Sequence, residues 1–500
     1  MLVLASATAL VASATALVAS PLRPAVARPQ RVHSAPRASV VDPFAGADLD
    51  LDAIRKAQES MLEKEAEKQA AEDAAEQAAA WRALEETLPP LSESAAPVLT
   101  LYRDTNGWCP FCERVWLQLH AKGIPFREEL VDLRDKPEWY KEMVPTALVP
   151  AVKYDSDGAI TWESVDVMLQ IEERFPDAPP LLPAEADSEA RARAERMMAG
   201  CADVLGAGVR MSYGNANATE ADRAAAQANF TAQLDKLDAE VAEGGGPFMH
   251  GAAFTLVDAM YIPMMERWAA QLPITTGIVL RPAEGEEPRW PALAGWLAAM
   301  ETQLPAYADY VMGDVYSWSA LVGTFQRMFS GNVTEPGRLA AIKATTLKAD
   351  MAANRELVAA REAPLDSHRL VHRHAAARAL LSNRDNVLAD AVNAAPKSQP
   401  QLRRLVEEEG MPRNEPTLAK GLREVCRRLL DQPDEGVMDL AYADVPAEAA
   451  VVARGCKYIA ARICVPRDMG AASAAAARTA LLQLAAEAEL YAWKSSGGLL

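Results

Sequence analysis

Hydrophobic and polar positions change rhythm several times along this 500-residue chain. From Asp48 to Leu88 charged residues interleave with alanine, a strong helix former stopped by Pro89-Pro90. Its apolar positions (Ile54, Met61, Trp81, Leu84) are too sparse for a heptad seam, which predicts a solvated spacer helix. Short apolar runs follow. VLTLYRD reads as a strand, and CPFCERVWLQLHAKG as a helix opened by Pro110 and closed by Gly123. FREELVD alternates as a second strand, and a Trp-bearing helical turn comes after it. AVKYD and AITWE are strands joined by Ser156-Asp157-Gly158, a hairpin signal. SVDVMLQIEERFP is a further helix, with Ser164 placed as its N-cap and Pro176 just past its end.

The order strand, helix, strand, helix, strand, strand, helix is that of an α/β thioredoxin-like domain, here spanning residues 96–185. From Asp187 to Phe329 no strand pattern remains, and five helical stretches predict an all-α domain over residues 186–330. Gly244-Gly245-Gly246-Pro247 lacks the Lys-Ser/Thr of a phosphate-binding loop and reads as a helix connector. Residues 336–500 form an additional all-α extension rich in Ala, Leu and Arg, with breaks near Pro396, Pro412, Pro433 and Pro466. It is long enough for a core of its own.

Composition narrows the function classes. Lys plus Arg total 51 against 69 Asp plus Glu, a net charge of -18, and so acidic a chain repels phosphate backbones: no nucleic-acid partner is expected. No later segment offers the roughly 20 consecutive apolar residues of a membrane span. Six cysteines are too few for a disulfide framework. Residues 1–41 hold no acidic residue and four arginines (Arg23, Arg28, Arg31, Arg37), after an uncharged stretch in which SATALVA occurs twice. That composition predicts a targeting peptide, chloroplast or plastid in type, with a mitochondrial or secretory leader as the alternative. Without it the chain carries 47 basic against 69 acidic residues, or -22. Residues 42–95 then form a charged helical linker.

The chemistry gathers at Cys109 and Cys112. A thiol attacks only as thiolate, and Cys109 stands where a strand has ended and a helix begins. Unsatisfied N–H groups and the positive end of the helix dipole favour the anion there. Cys112, one turn further in, could attack a mixed disulfide on Cys109. A structural zinc site is disfavoured, since no second ligand pair follows, and no metal cofactor is expected.

CPFC-ER, KPEW, LVP and the pair Glu163-Ser164 stand in the order seen in cysteine-type glutathione transferases, which the chain resembles from Ala96 to about Tyr310. GAAFTLVDAMYIP resembles that family's capping motif, with Thr255 and Asp258 as the box pair. CPFC together with a long helical extension most resembles the iota class of photosynthetic organisms, and it is similar to the omega and lambda classes and to glutaredoxins. The resemblance implies an all-α glutathione transferase C-terminal domain after the thioredoxin-like one. It implies that Cys109 forms a mixed disulfide with glutathione, the substrate in place of any bound cofactor. It further implies that Lys136 reaches the glycine carboxylate and that Val149, before a cis Pro150, pairs with the cysteinyl backbone. Glu163 and Ser164 would hold the γ-glutamyl end. Cys112 departs from most members and leaves monothiol and dithiol routes open.

The function expected is that of a glutathione-dependent thiol transferase or disulfide reductase acting on small electrophilic or disulfide substrates. The alternative is a non-catalytic glutathione- or ligand-binding protein whose extension docks a protein partner; a homodimer fits either. Other signals read blandly. His368, His372 and His374 are exposed helix histidines, and Cys426, Cys456 and Cys464 a buried helix stripe. His120 is a cation suited to a helix C-terminus. Met211, Tyr213 and Trp268 are core or pocket residues, and the sequons at Asn217, Asn229 and Asn332 matter only in a secreted chain.

Overall fold

In the computed structural model, which describes residues 51–90, 95–184, 186–213, 218–283, 285–330, 333, 336–393, 414–431 and 446–495, four strands form one mixed sheet. They are β1 (Leu99–Asp104), β2 (Arg127–Val131), β3 (Ala151–Tyr154) and β4 (Ile160–Trp162), in the order β2-β1-β3-β4. β1 pairs parallel with β2 and antiparallel with β3, and β3 pairs antiparallel with β4. The strand period of two divides the side chains between faces. Leu99, Leu101, Val152 and Tyr154 enter the main core, while Tyr102, Val131 and Ala151 enter a small cluster with Cys112. β2 departs from the alternation expected of it: Arg127 to Leu130 are all exposed, in keeping with its place at the edge of the sheet.

The chain divides into Met1–Glu72 and Asp73–Leu500. The described part of the first unit is Leu51–Glu72 of helix α1 (Leu51–Thr87), exposed wherever its side chains are described. The targeting segment, Asn217, Asn332, Pro396, Pro412 and Pro433 lie outside the described residues. Within the second unit the helices are α2 (Pro110–Lys122), α3 (Glu138–Met143), α4 (Ser164–Arg174), α5 (Ser188–Tyr213), α6 (Glu220–Glu243), α7 (Leu256–Thr275), α8 (Pro291–Gln303), α9 (Pro305–Tyr310) and α10 (Val315–Ser330). The extension supplies α11 (Pro336–Glu362), α12 (Leu370–Ser382), α13 (Arg384–Asn393), α14 (Glu415–Leu429), α15 (Pro446–Arg462) and α16 (Ala471–Ser495). No described helix is long and apolar enough to cross a membrane.

Two cores result. The larger packs the sheet and α2 against the helices up to α9, with Trp268, Trp296 and Phe230 fully buried. Asp258 anchors it. This buried carboxylate accepts from the Thr255 N–H, its bond in the capping box, and also from the Thr255 hydroxyl, the Met249 N–H and the Trp296 indole. The second core belongs to the extension, where Cys426 and Cys456 are fully buried among α14, α15 and α16. Cys464 is buried too, but beyond the end of α15 rather than on its stripe.

Three expectations from the sequence do not hold. The charged linker is not solvated throughout: Trp81 and Leu84 are buried in the extension core, with the guanidiniums of Arg384 and Arg423 over the indole and Glu85 paired with Arg384. His120 is no cation. It is stacked on Tyr310 at 3.6 Å, and burial, then the charge of Arg103, lowers its pKa to about 4. His368 precedes α12 and hydrogen-bonds Thr479, and His368, His372 and His374 are each partly buried rather than exposed.

Candidate active site

β1 delivers the chain to Asp104, whose buried carboxylate shapes the loop that follows. One oxygen accepts the Trp108 N–H at 2.9 Å and the other the Cys109 N–H at 3.2 Å. Gly107 makes the turn at φ 65°, a left-handed conformation that favours glycine. Cys109 is therefore held as the N-cap of α2, extended at φ -74° and ψ 113°, with Pro110 opening the helix. Its side chain is half-buried, and its sulfur lies 3.9 Å from the Val149 carbonyl.

The two thiols of the motif differ sharply. A hydrogen bond from the Cys112 thiol is the largest influence on Cys109; with the Cys112 and Phe111 N–H groups, it outweighs burial and the repulsion of Asp104 and lowers the Cys109 pKa. Burial, then the hydrogen bond to Cys109, pushes Cys112 well up. The environment thus favours the thiolate at Cys109 and disfavours it at the buried Cys112. Alkylation of Cys109 should accordingly rise with pH through an inflection below the roughly 8.5 of a free thiol. Iodoacetamide rates, read at this residue by mass spectrometry, check that; an inflection at or above the free value contradicts it.

The other positions singled out from the sequence lie as follows. The Val149-Pro150 bond is cis, and Val149 packs in the same small cluster as Cys109, Cys112 and Trp162. Glu163 is exposed and has φ 67°, a left-handed conformation that costs a non-glycine residue of order 1–3 kcal/mol. Because Glu163 takes that conformation, it is the N-cap of α4, and Ser164 is the first helical residue rather than the cap expected of it. The buried Ser164 hydroxyl instead accepts from Arg114 Nη1 at 3.2 Å. Lys136 lies in the turn before α3, partly exposed and without an ion pair among the described residues.

Four further residues shape the site and were missed from sequence. Asp104 holds the loop. Arg114 ties α2 to its neighbours through Ser164 of α4, the Met260 carbonyl of α7 and the Cys201 sulfur of α5. Glu113 and Arg267 form a buried ion pair at 2.8 Å, and Arg267 also donates to the Trp108 carbonyl. A signal was present: α2 is buried from Cys112 to Leu119, so the adjacent charges Glu113 and Arg114 had to find partners inside the protein. Asp104, Cys109 and Cys112 also place one donor atom each within 4.8 Å of one another. Two sulfurs and an oxygen suit a thiophilic cation, but both Asp104 oxygens already accept backbone N–H groups, and a tetrahedral site needs a fourth ligand.

Residues 108–174 match the family described as glutathione S-transferase, N-terminal domain, and residues 218–299 that described as glutathione S-transferase, C-terminal domain. Protein IN2-1 of Zea mays is 33% identical over 194 residues, covering 37% of this chain and 74% of that protein. Glutathione S-transferase L2, chloroplastic, of Arabidopsis thaliana is 28% identical over 230 residues, covering 44% of this chain and 71% of its own length. The crystal structure of Chlamydomonas reinhardtii dehydroascorbate reductase aligns at 25% identity over 42% of this chain and 90% of that one, with a TM-score of 0.33. With both domain types matched in order along one chain, and a relative of this identity covered over most of its length, the protein belongs to the glutathione S-transferase family.

Proposed function

We propose that the protein is a glutathione-dependent thiol transferase and disulfide reductase working through Cys109. The observation that carries this reading is the placing of the two sulfurs: a half-buried, activated Cys109 beside the Val149 carbonyl, with the Cys112 thiol buried beneath it. In the cycle, the Cys109 thiolate attacks the glutathione sulfur of a mixed disulfide. The S–S bond of the substrate breaks, its thiol leaves and takes a proton, and Cys109 is left disulfide-bonded to glutathione. The thiolate of a second glutathione attacks that adduct, giving oxidised glutathione and the free Cys109 thiolate. Lys136 meets the glycine carboxylate, the Val149 backbone pairs with the extended peptide like an added strand, and Glu163 and Ser164 take the γ-glutamyl end at the start of α4. The strained Glu163 backbone fits a residue held for function.

The raised Cys112 pKa favours the monothiol route, because a thiol that stays protonated resolves disulfides slowly. Intact mass after treatment with oxidised glutathione tests it. The expected species carries one glutathione, in the wild type and in Cys112→Ser alike, and the variant keeps or raises turnover on small glutathione mixed disulfides. An internal disulfide in the wild type, with a folded Cys112→Ser that is inactive, reverses the assignment to a dithiol mechanism. On the CPFC motif and the extension we place the protein with the iota type. On the acid-free N-terminal segment we infer a plastid protein, with a mitochondrial or secretory route as the alternative; the word chloroplastic in the name of the Arabidopsis relative supports the first.

A further inference from the structure

The loop between α15 and α16, residues 463–470, reaches from the extension to the residue that precedes the nucleophile. Trp108 donates its indole N–H to the Val465 carbonyl at 3.4 Å. The same stretch lies over the turn at Gly107, where a Cβ would stand 3.6 Å from Arg467 Cα and 3.7 Å from Pro466 Cγ. The cycle above makes no use of these contacts.

A contact of this length can position a group when both of its ends are stiff. On the extension side Val465 is fully buried, and its N–H donates to the buried Ser317 hydroxyl of α10 at 2.9 Å. Arg478 of α16, itself paired with Asp314, donates to the carbonyls of Ile463 and Ala460, and the Asp468 carboxylate accepts the Cys464 N–H at 2.8 Å. On the other side the peptide joining Trp108 to Cys109 is held at both polar atoms: Arg267 donates to its carbonyl, and its N–H donates to Asp104. The Trp108 N–H takes the other Asp104 oxygen, and Val465 takes the indole.

We propose that Trp108 is a positioning residue through which the extension holds Cys109 in place: the Val465 carbonyl fixes the indole, and the indole steadies the peptide that ends at the nucleophile. This rests on the reading of Cys109 as the nucleophile, and it makes the extension part of the active site. The Cys112 thiol and the N–H groups of Phe111 and Cys112 favour the thiolate while Cys109 stays at the N-cap. A loosened peptide lets the sulfur leave them, and its titration climbs. The other charged or ionisable groups around it are Asp104 in the loop, Glu113 and Arg114 on α2, Tyr140 on α3 and Arg267 on α7, none of them altered in the variants below.

Alkylation of Cys109 by iodoacetamide across pH, in the full chain and without substrate, tests this. Trp108→Phe keeps a ring and removes the donor. It should raise the inflection by roughly half a pH unit with circular dichroism unchanged. Ser317→Ala and Asp468→Ala, the second at an exposed side chain, release the extension loop and should shift it the same way. Combined with Trp108→Phe, either should add nothing, because both act through Val465. Turnover on a small glutathione mixed disulfide should fall about fivefold in each, with the KM for glutathione unchanged. An unchanged inflection in Trp108→Phe overturns the proposal, and so does one in Asp468→Ala even if Ser317→Ala fails to fold. Fully additive shifts overturn it too, since they report general loosening. Alkylation needs no glutathione, so these outcomes are separate from a failure of the enzymatic reading, which shows in Cys109→Ser.

Discussion

Cys109→Ser should cut glutathione-dependent turnover on a small mixed disulfide by about a thousandfold while leaving the protein folded. Serine keeps the shape, and the backbone N–H that Asp104 accepts is untouched, so the loop has no reason to move. What is lost is the only activated sulfur in the site. A hydroxyl is not ionised near neutral pH and forms no disulfide, so no adduct with glutathione can accumulate. Cys112 cannot take over, since it is fully buried and its pKa is raised well above that of a free thiol. Cys201, Cys426, Cys456 and Cys464 are buried with raised pKa values as well, which leaves no substitute elsewhere among the described residues. Steady-state turnover coupled to glutathione reductase measures the effect, with circular dichroism as the control. Wild-type turnover in this variant ends the enzymatic reading.

The helix that opens after Cys109 was legible because its signals are local. Pro110 and Gly123 bound α2 as a proline start and a glycine C-cap should, and Gly123 is left-handed at φ 65°. The hairpin at Ser156-Asp157-Gly158 and the box of Thr255 and Asp258 likewise depend on residues within a few positions of each other. What was not legible is set by partners far away in sequence. β2 alternates on paper, yet its position at the sheet edge exposes it. Trp81 sits in a stretch that is polar by composition, and only the folded extension gives it a core to enter. His120 looks like a helix-terminal cation until Tyr310, at 3.6 Å, buries its ring. Ser164 obeys cap statistics, but the left-handed Glu163 moves the cap back by one residue. Asp104 ends a strand without any motif to mark it, and its role shows only when the two N–H groups it holds are seen.

Arg267→Met should destabilise the folded protein by about 3–5 kcal/mol at neutral pH, because it strands Glu113 in the interior. Both partners are almost wholly buried; Arg267 meets Glu113 Oε1, and Oε2 has no hydrogen bond among the described residues. Burial already pushes the Glu113 pKa well up against the opposing pull of Arg267, so without the guanidinium it rises further. The sign of the pH dependence follows. Between the unfolded carboxyl value, roughly 4.3, and the raised folded value, the folded variant holds a proton that the unfolded chain has released. The stability of the variant therefore falls as pH rises through that window, and its deficit against the wild type is smaller at pH about 5 than at about 7.5. Replacing both partners, as Glu113→Leu with Arg267→Met, should recover most of the loss, since no charge is then left buried. The Trp108 carbonyl still loses its donor, so recovery falls short by about 1 kcal/mol. Urea midpoints at the two pH values measure all three proteins. A single variant as stable as the wild type, or a double variant no better than the single, would show that the pair does not hold α2 against α7.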